Sequence, residues 1–302
     1  MSVTGVKNIL VTGANGQLGT SLAIISSPSY ANFFFTDIEQ LDITSKRAVD
    51  TFIKEKKIDL VINCAAYTNV SAAENEKSRA REINAVAPKI LANACKRNNA
   101  FLIHISTDYI FSGRHRTPIS ERAKPSPLNV YGTTKLEGER AIIESGCNSL
   151  IIRTSWLYSE YGNNFLKSMI KLLTTKDEIK VVDDQIGTPT YAGDLATAVY
   201  KISLSILYSK DSDSLSLEKN GTTMIYNYSN IGECSWYDFA MKIKKSIGSK
   251  CRIIPCTTSE YPSNVLRPKY SVLSKEKIIA DFGIKIPKWE SSVEKCIKYL
   301  SL

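Results

Sequence analysis

Histidine is scarce in this chain, with two residues in 302. The seven cysteines are scattered, and no two of them stand in a Cys-x-x-Cys pair. Zinc sites draw on clustered histidine and cysteine, and disulfide frameworks on paired cysteine, so neither organises this fold. Such cysteine usage points to a reducing cytoplasm. No apolar run approaches the roughly 20 residues needed to cross a bilayer. The opening "MSVTGVKNILVTGANG" leads straight into a glycine loop and carries no cleavable signal pattern. No internal repeat is present. The formal net charge of +9 would suit nucleic acid, an anionic membrane or a negatively charged small molecule. The lysines are dispersed, however, as in "KEKK" and "KIKK", and no basic stripe is laced with aromatics. A solvated lysine-rich surface follows, with neither nucleic acid nor membrane as a partner, and it is compatible with a diphosphate substrate.

What is present is alternation. "KNILVTGANGQLGTSLAIIS" reads as an apolar strand, a glycine turn and a helix. Strand-like runs recur at "NFFFTD", "IDLVINCAA", "AFLIHIS", "SLIIRTS" and "IKVVDDQ", separated by helical segments such as "SKRAVDTFIKEKK" and "INAVAPKILANACKRN". The runs are continuously apolar, as expected when helices cover both faces of a parallel sheet. After about residue 205 the pattern changes. "YSKDSDSLSLEKNGTT" reads as an exposed loop with a mobile tip, and "CSWYDFAMKIKKSIG" as a helix with a serine cap and a closing glycine. The expected fold class is α/β, a Rossmann-like doubly wound parallel sheet with a smaller C-terminal α+β lobe. Residues 1–155, completed by parts of 176–229, would form the dinucleotide-binding core; 156–175 and 230–302 would form the substrate-binding lobe.

Gly13, Gly16 and Gly19 are spaced three apart, directly after the first strand. Glycine permits the tight turn and lets backbone N–H groups approach a pyrophosphate at a helix N-terminus. Asn15, Gln17 and Leu18 belong to the same loop. An acid about 20 residues on, at the end of the second strand, would accept from the adenosine ribose. Asp37 of "FFFTD" stands there and leans toward NADH, because a carboxylate repels the 2′-phosphate of NADPH without excluding it. Asp42 and Ile43 of "LDIT" would border the adenine, and Ala65, Ala66, Tyr67 and Thr68 of "NCAAYT" would let the third strand close on the cofactor.

"NVYGTTK" places Tyr131 and Lys135 four residues apart, on one face of a helix. Tyrosine loses its proton near pH 10, at about the limit of usefulness as an acid. A neighbouring ammonium would stabilise the phenolate and lower that value, making the hydroxyl a proton donor.

Together these pieces resemble the extended short-chain dehydrogenase/reductases, and more narrowly the dTDP-4-dehydrorhamnose reductase family. The likeness is carried by "VTGANGQLG", "LDIT", "VINCAAYTNV", "ISTDYIFSG", "PLNVYGTTKLEGE", "RTSWLY" with "GNNF", "VVDDQIGTPTY" and "RPKYSVL", across nearly the whole chain. The resemblance implies a catalytic set of Thr107, Tyr131 and Lys135, with Lys135 also bonding the nicotinamide ribose. It implies substrate contacts from Thr107, Asp108, Trp156, Asn164 and Arg267, the last a fork suited to a diphosphate. The implied reaction is reduction by NADPH or NADH of the C4 ketone of a nucleotide-linked 6-deoxy hexose, in an enzyme that could form a homodimer.

The chain also departs from that pattern. Ser71 stands where many relatives have aspartate, and Tyr67 where histidine is frequent. The resemblance implies a carboxylate set with which some relatives hold a metal; Glu290 of that set is kept, whereas its partner positions carry Ser21 and Gly193, so no metal is expected. Two alternatives fit the same scaffold: a reductase or epimerase for another sugar nucleotide, and a non-catalytic cofactor-binding regulatory subunit.

Overall fold

Successive residues of the apolar runs point to opposite sides of one sheet, and each side acquires its own core. The computed structural model describes residues 6–26, 28, 30–208, 221–261 and 263–300. Its longer strands are β1 (Lys7–Thr12), β2 (Ala31–Thr36), β3 (Leu60–Asn63), β4 (Phe101–Thr107) and β5 (Ser149–Thr154). They continue with β6 (Glu178–Val182), β7 (Thr223–Asn227) and β8 (Arg252–Cys256). The first five and β7 form a six-stranded parallel sheet in the order β7-β5-β4-β3-β1-β2. The direction of winding reverses between β1 and β3, and a doubly wound sheet opens its ligand crevice at such a point, beyond the carboxyl ends of the strands.

The longer helices are α1 (Gln17–Ile25), α2 (Lys46–Glu55), α3 (Ala87–Arg97), α4 (Val130–Ser145) and α5 (Phe165–Thr175). After them come α6 (Ala192–Tyr208), α7 (Trp236–Ile247), α8 (Glu276–Phe282) and α9 (Trp289–Tyr299). Ile9, Val11, Leu60, Ile62 and Ile152 pack with Leu18 and Leu22 of α1 and with Leu195, Val199 and Ile202 of α6. Leu10, Val61, Leu102 and Ile151 face the other way, toward Val49 and Ile53 of α2, Leu91 and Cys95 of α3 and Ile142 of α4. Both faces of the sheet are covered, as the unbroken apolar runs require.

A third core gathers Leu166, Met169 and Leu173 of α5, Phe239 and Ile243 of α7, and Trp289 and Val293 of α9. Helix α7 has the caps expected of it. The Ser235 hydroxyl accepts from Asp238 N–H at 3.0 Å, and Gly248 closes the helix in the left-handed region at φ +66°.

Two segments differ from the sequence-based picture. "IKVVDDQ" does not enter the central sheet: as β6 it pairs in parallel with β8. Only Val181 and Val182 of β6 are buried, too few for a strand covered on both faces. The edge place goes to β7, "TMIYN", paired with β5. The second difference lies in "INAVAPKILANACKRN", where Glu82–Val86 forms a π-helical turn ahead of α3. Pro88 has no N–H to give the Asn84 carbonyl, so the regular ladder cannot run through it. The polar loop "YSKDSDSLSLEKNGTT" lies for the most part (209–220) outside the described residues. Among the described residues no helix is long and apolar enough to cross a membrane.

Candidate active site

The glycine loop closes the crevice by direct backbone contact with the end of β3. Gly13 has φ +67°, and a Cβ there would lie 2.6 Å from the amide nitrogen of Ala65. A Cβ on Gly19 would lie 2.4 Å from the Gly13 carbonyl oxygen, so only glycine lets α1 begin this near the turn. Asp37, at the end of β2, holds the loop from the other side: its Oδ2 accepts from Asn15 N–H at 3.0 Å. Its Oδ1 accepts from the N–H of Ile38 at 2.8 Å. The Asp42 carboxylate turns the next segment by accepting from the N–H and hydroxyl of Thr44.

A cleft of about 730 Å³ runs along this edge. Gly13, Gly16, Gln17, Leu18, Gly19, Asp37, Asp42, Ile43, Ala65, Ala66 and Thr68 line it, as do Thr107, Asp108, Tyr131, Lys135 and Trp156. Asn15, Tyr67, Asn164 and Arg267 do not. The Tyr67 backbone is held by the Asn84 side chain, at 2.9 Å to its N–H and 3.1 Å to its carbonyl. Asn164 caps α5 and donates to Gln17 Oε1 at 3.0 Å, so its polar atoms are engaged within the protein. Arg267 lines a second cleft, of about 870 Å³, with Lys180, Trp236 and Phe165. Its guanidinium donates to the Tyr109 hydroxyl at 3.1 Å, and Tyr109 lines the first cleft. The indoles of Trp156 and Trp236 stack at 3.5 Å, one from each cleft. Trp156 has φ +47°, a costly conformation for a bulky side chain, and Gly187 leaves room for its ring.

Asn129 caps α4 by accepting from Gly132 N–H at 2.8 Å, which sets Tyr131 in the first turn beside Thr107. Thr107, the last residue of β4, donates to Asp108 Oδ1 at 3.1 Å. One turn further along α4, Lys135 is 1% exposed and donates to the Ile105 carbonyl at 2.7 Å. Burial lowers the Lys135 amine to about 8, against the opposing pull of Glu139 and Cys64. The Tyr131 phenol is raised above its ordinary value, first by burial and further by Asp108 and Tyr109; the Thr107 hydroxyl pulls it down. Lys135 is not among the groups that move Tyr131. The lowering expected from the Tyr-x-x-x-Lys spacing is therefore not what this geometry delivers, because the Lys135 ammonium is spent on a β4 carbonyl.

Residues 7–302 match the RmlD substrate binding domain family. The dTDP-4-dehydrorhamnose reductase of Aggregatibacter actinomycetemcomitans is 38% identical over 302 residues, covering 97% of this chain and 99% of its own. This chain belongs to the dTDP-4-dehydrorhamnose reductase family. A crystal structure of such a reductase from Clostridium acetobutylicum superposes with a TM-score of 0.89 at 41% identity, covering 98% of this chain and 100% of that one. The Bacillus anthracis reductase, solved in complex with NADP, also gives 0.89, at 36% identity, with 98% and 100% covered.

Beneath this reductase-family site lies a polar layer that motif reading missed. Arg153 of β5 and Glu139 of α4 are 3% and 1% exposed and form a two-pronged ion pair, at 3.0 and 2.7 Å. Ser106 adds a third bond to the carboxylate at 2.6 Å. An arginine inside an apolar strand was the available signal, since a buried charge requires a partner. His104, wholly buried in β4, was legible in the same way.

Asp108 is 1% exposed, and its Oδ2 has no hydrogen-bond partner. Burial raises its carboxyl from 3.8 to about 7, although Ser271 and Thr107 favour the ionised form. The native state therefore holds a proton that the unfolded chain has released between those values, and folding stability falls as pH rises across that window. Asp108→Asn should abolish this slope, which approaches about 1.4 kcal/mol per pH unit. Urea midpoints at pH 5, 6, 7 and 8 check it; parallel profiles for wild type and variant would refute it.

Proposed function

We propose that this protein reduces the C4 ketone of a nucleotide-linked 6-deoxy-4-keto hexose with NADPH or NADH, converting dTDP-4-dehydro-L-rhamnose to dTDP-L-rhamnose. The observation that carries this reading is the convergence of Thr107, Tyr131 and Lys135 in the cleft walled by the glycine loop. The cradle fits a dinucleotide: Gly13 and Gly19 let the loop pack backbone against backbone on Ala65 and at the start of α1, and the first residues of α1 line the cleft with its N-terminus. Gly13, Gly16, Gln17, Leu18 and Gly19 would hold the pyrophosphate, and Asp37 the adenosine ribose. When bound, the nicotinamide supplies the hydride.

The chain's own residues then manage one proton and one carbonyl. The Thr107 hydroxyl donates to the substrate ketone and fixes its plane. As C4 gains its hydrogen, the carbonyl oxygen becomes an alkoxide and takes the Tyr131 phenolic proton. The resulting phenolate is stabilised, with Nζ reoriented from Ile105, by the Lys135 ammonium. Lys135 serves the nicotinamide ribose as well. Asp108 and Trp156 border the sugar. Arg267 and Lys180 in the second cleft suit the diphosphate by charge, and the Trp156–Trp236 stack stands where sugar and nucleotide would meet. Residues 156–175 and 230–302 would then be the substrate-binding lobe; the third core supports this for α5, α7 and α9, with Val181 and Tyr191 joining them, whereas Ile278 and Ile284 pack with the central sheet. The free state of all seven cysteines supports a cytoplasmic setting.

Tyr131→Phe removes the proton and keeps the ring. It should lower kcat on the order of 10²–10⁴-fold, the usual worth of a general acid, with cofactor affinity nearly unchanged. Stopped-flow and cofactor titration measure the two quantities. A drop of less than about fivefold would remove Tyr131 as the acid.

Cofactor choice turns on Asp37. Like charges at roughly 4 Å and an effective dielectric near 20 repel by about 4 kcal/mol, which solvent and salt reduce at this half-exposed site. The enzyme should accept both cofactors with a lean toward NADH, and Asp37→Asn should shift the kcat/KM ratio toward NADPH. A ratio unmoved by the substitution would leave Asp37 as a loop anchor through Asn15 only.

A further inference from the structure

A chain of buried hydrogen bonds runs from the end of β1 to the Lys135 amine, and its direction can be read. Asn63 Oδ1 lies 3.2 Å from Ala65 N–H, which can only donate, and 2.8 Å from the Thr12 hydroxyl. The amide is thereby oriented, and Asn63 Nδ2 donates to His104 Nδ1 at 3.0 Å. An Nδ1 that accepts carries no proton. Burial and the nearby Lys135 hold His104 well below its ordinary value, so the ring is uncharged and its one N–H is at Nε2. Nε2 lies 3.3 Å from Lys135 Nζ.

Two donors face each other across that gap if Lys135 is an ammonium, which has no lone pair to offer. A neutral amine accepts from Nε2–H while still donating to the Ile105 carbonyl. We propose that His104, locked by Asn63 as the Nε2–H imidazole, is a positioning residue that biases Lys135 toward its neutral amine form.

The other titratable groups around Lys135 do not cancel this bias. Glu139, one turn on along α4, is tied to Arg153 of β5. Cys64, after β3, is pushed up to about 12 and stays a thiol. Tyr131, one turn back, is raised and stays a phenol at neutral pH. The balance sets the alkaline limit of the site: an ammonium stabilises the phenolate that forms on Tyr131, and an amine does not. Activity should fall as pH rises through the Lys135 titration. This kinetic consequence rests on the proposed reductase reading; the lock itself does not.

The test is titration of the Nζ resonance in [15N]lysine-labelled protein, assigned by its loss in Lys135→Arg. In the wild type Nζ should titrate near 8. His104→Gln, whose amide can turn its oxygen toward Nζ, should raise that midpoint by about one pH unit. Asn63→Asp should raise it too, because a carboxylate accepts from Nδ1–H and leaves Nε2 free to accept from the ammonium. A wild-type midpoint at the ordinary lysine value, variants that leave it in place, or wild-type His104 ring 15N shifts that put the proton on Nδ1 would overturn the proposal, and the last reading needs no variant. The alkaline limb of the kcat/KM profile should follow Nζ upward in both variants. A limb that stays put while Nζ moves supports the lock and counts against the role given to Lys135 in turnover.

Discussion

The docking of α4 against the end of β4 is the constraint on which the site depends. Tyr131, Lys135, Gly138, Glu139 and Ile142 recur at helical spacing, so one stripe of α4 faces the sheet. Two glycines let the helix come close: a Cβ on Gly132 would lie 2.2 Å from the Tyr109 carbonyl oxygen, and one on Gly138 would lie 2.1 Å from that of Asn84. The second carbonyl is the one Pro88 leaves without its helical partner, so the π turn and Gly138 answer each other. The Arg153–Glu139 pair pins the far turn from beneath. Breaking a buried pair of this kind costs about 3–5 kcal/mol, enough to free the turn that carries Lys135.

That docking explains why Thr107, Tyr131 and Lys135, the trio we propose as catalytic, meet. Thr107 is placed by the end of a central strand, Tyr131 by the Asn129 cap, and Lys135 by the Ile105 carbonyl. The switch point between β1 and β3 does the rest, since Gly13 permits the loop to lie on the Ala65 backbone. Neither arrangement needs a flexible element, and a site built from strand ends and helix turns is held more tightly than one built on loops.

Much of this was legible in the residues. Unbroken apolar runs separated by amphipathic stretches identify a parallel sheet covered on both faces, and a glycine triplet after the first strand marks where a dinucleotide belongs. Other features were hidden because they depend on partners distant in sequence. "IKVVDDQ" looks as apolar as a core strand, but its exposed lysine and glutamate faces suit a two-stranded ribbon with β8. The resemblance implies a substrate contact for Asn164, and its sequence position does not reveal that it caps α5 and donates to Gln17. The spacing of Tyr131 and Lys135 states which face they share, and says nothing of the carbonyl that holds the ammonium. The orientation of Asn63, which decides the protonation of His104, follows from a single backbone N–H.

Two clefts adjoin: one carries the glycine cradle and Tyr131, the acid we propose, the other Arg267 and Lys180, with Tyr109 and the paired tryptophans between them. The central claim is that a ketone anchored from the second cleft meets a hydride delivered from the first. It is tested most directly by following deuterium from NADPH labelled at the transferable position into dTDP-4-dehydro-L-rhamnose, with the product read by NMR. The account predicts one deuterium at C4 of dTDP-L-rhamnose for each cofactor oxidised. Product isomerisation without net cofactor oxidation, or label at any other carbon, would contradict it.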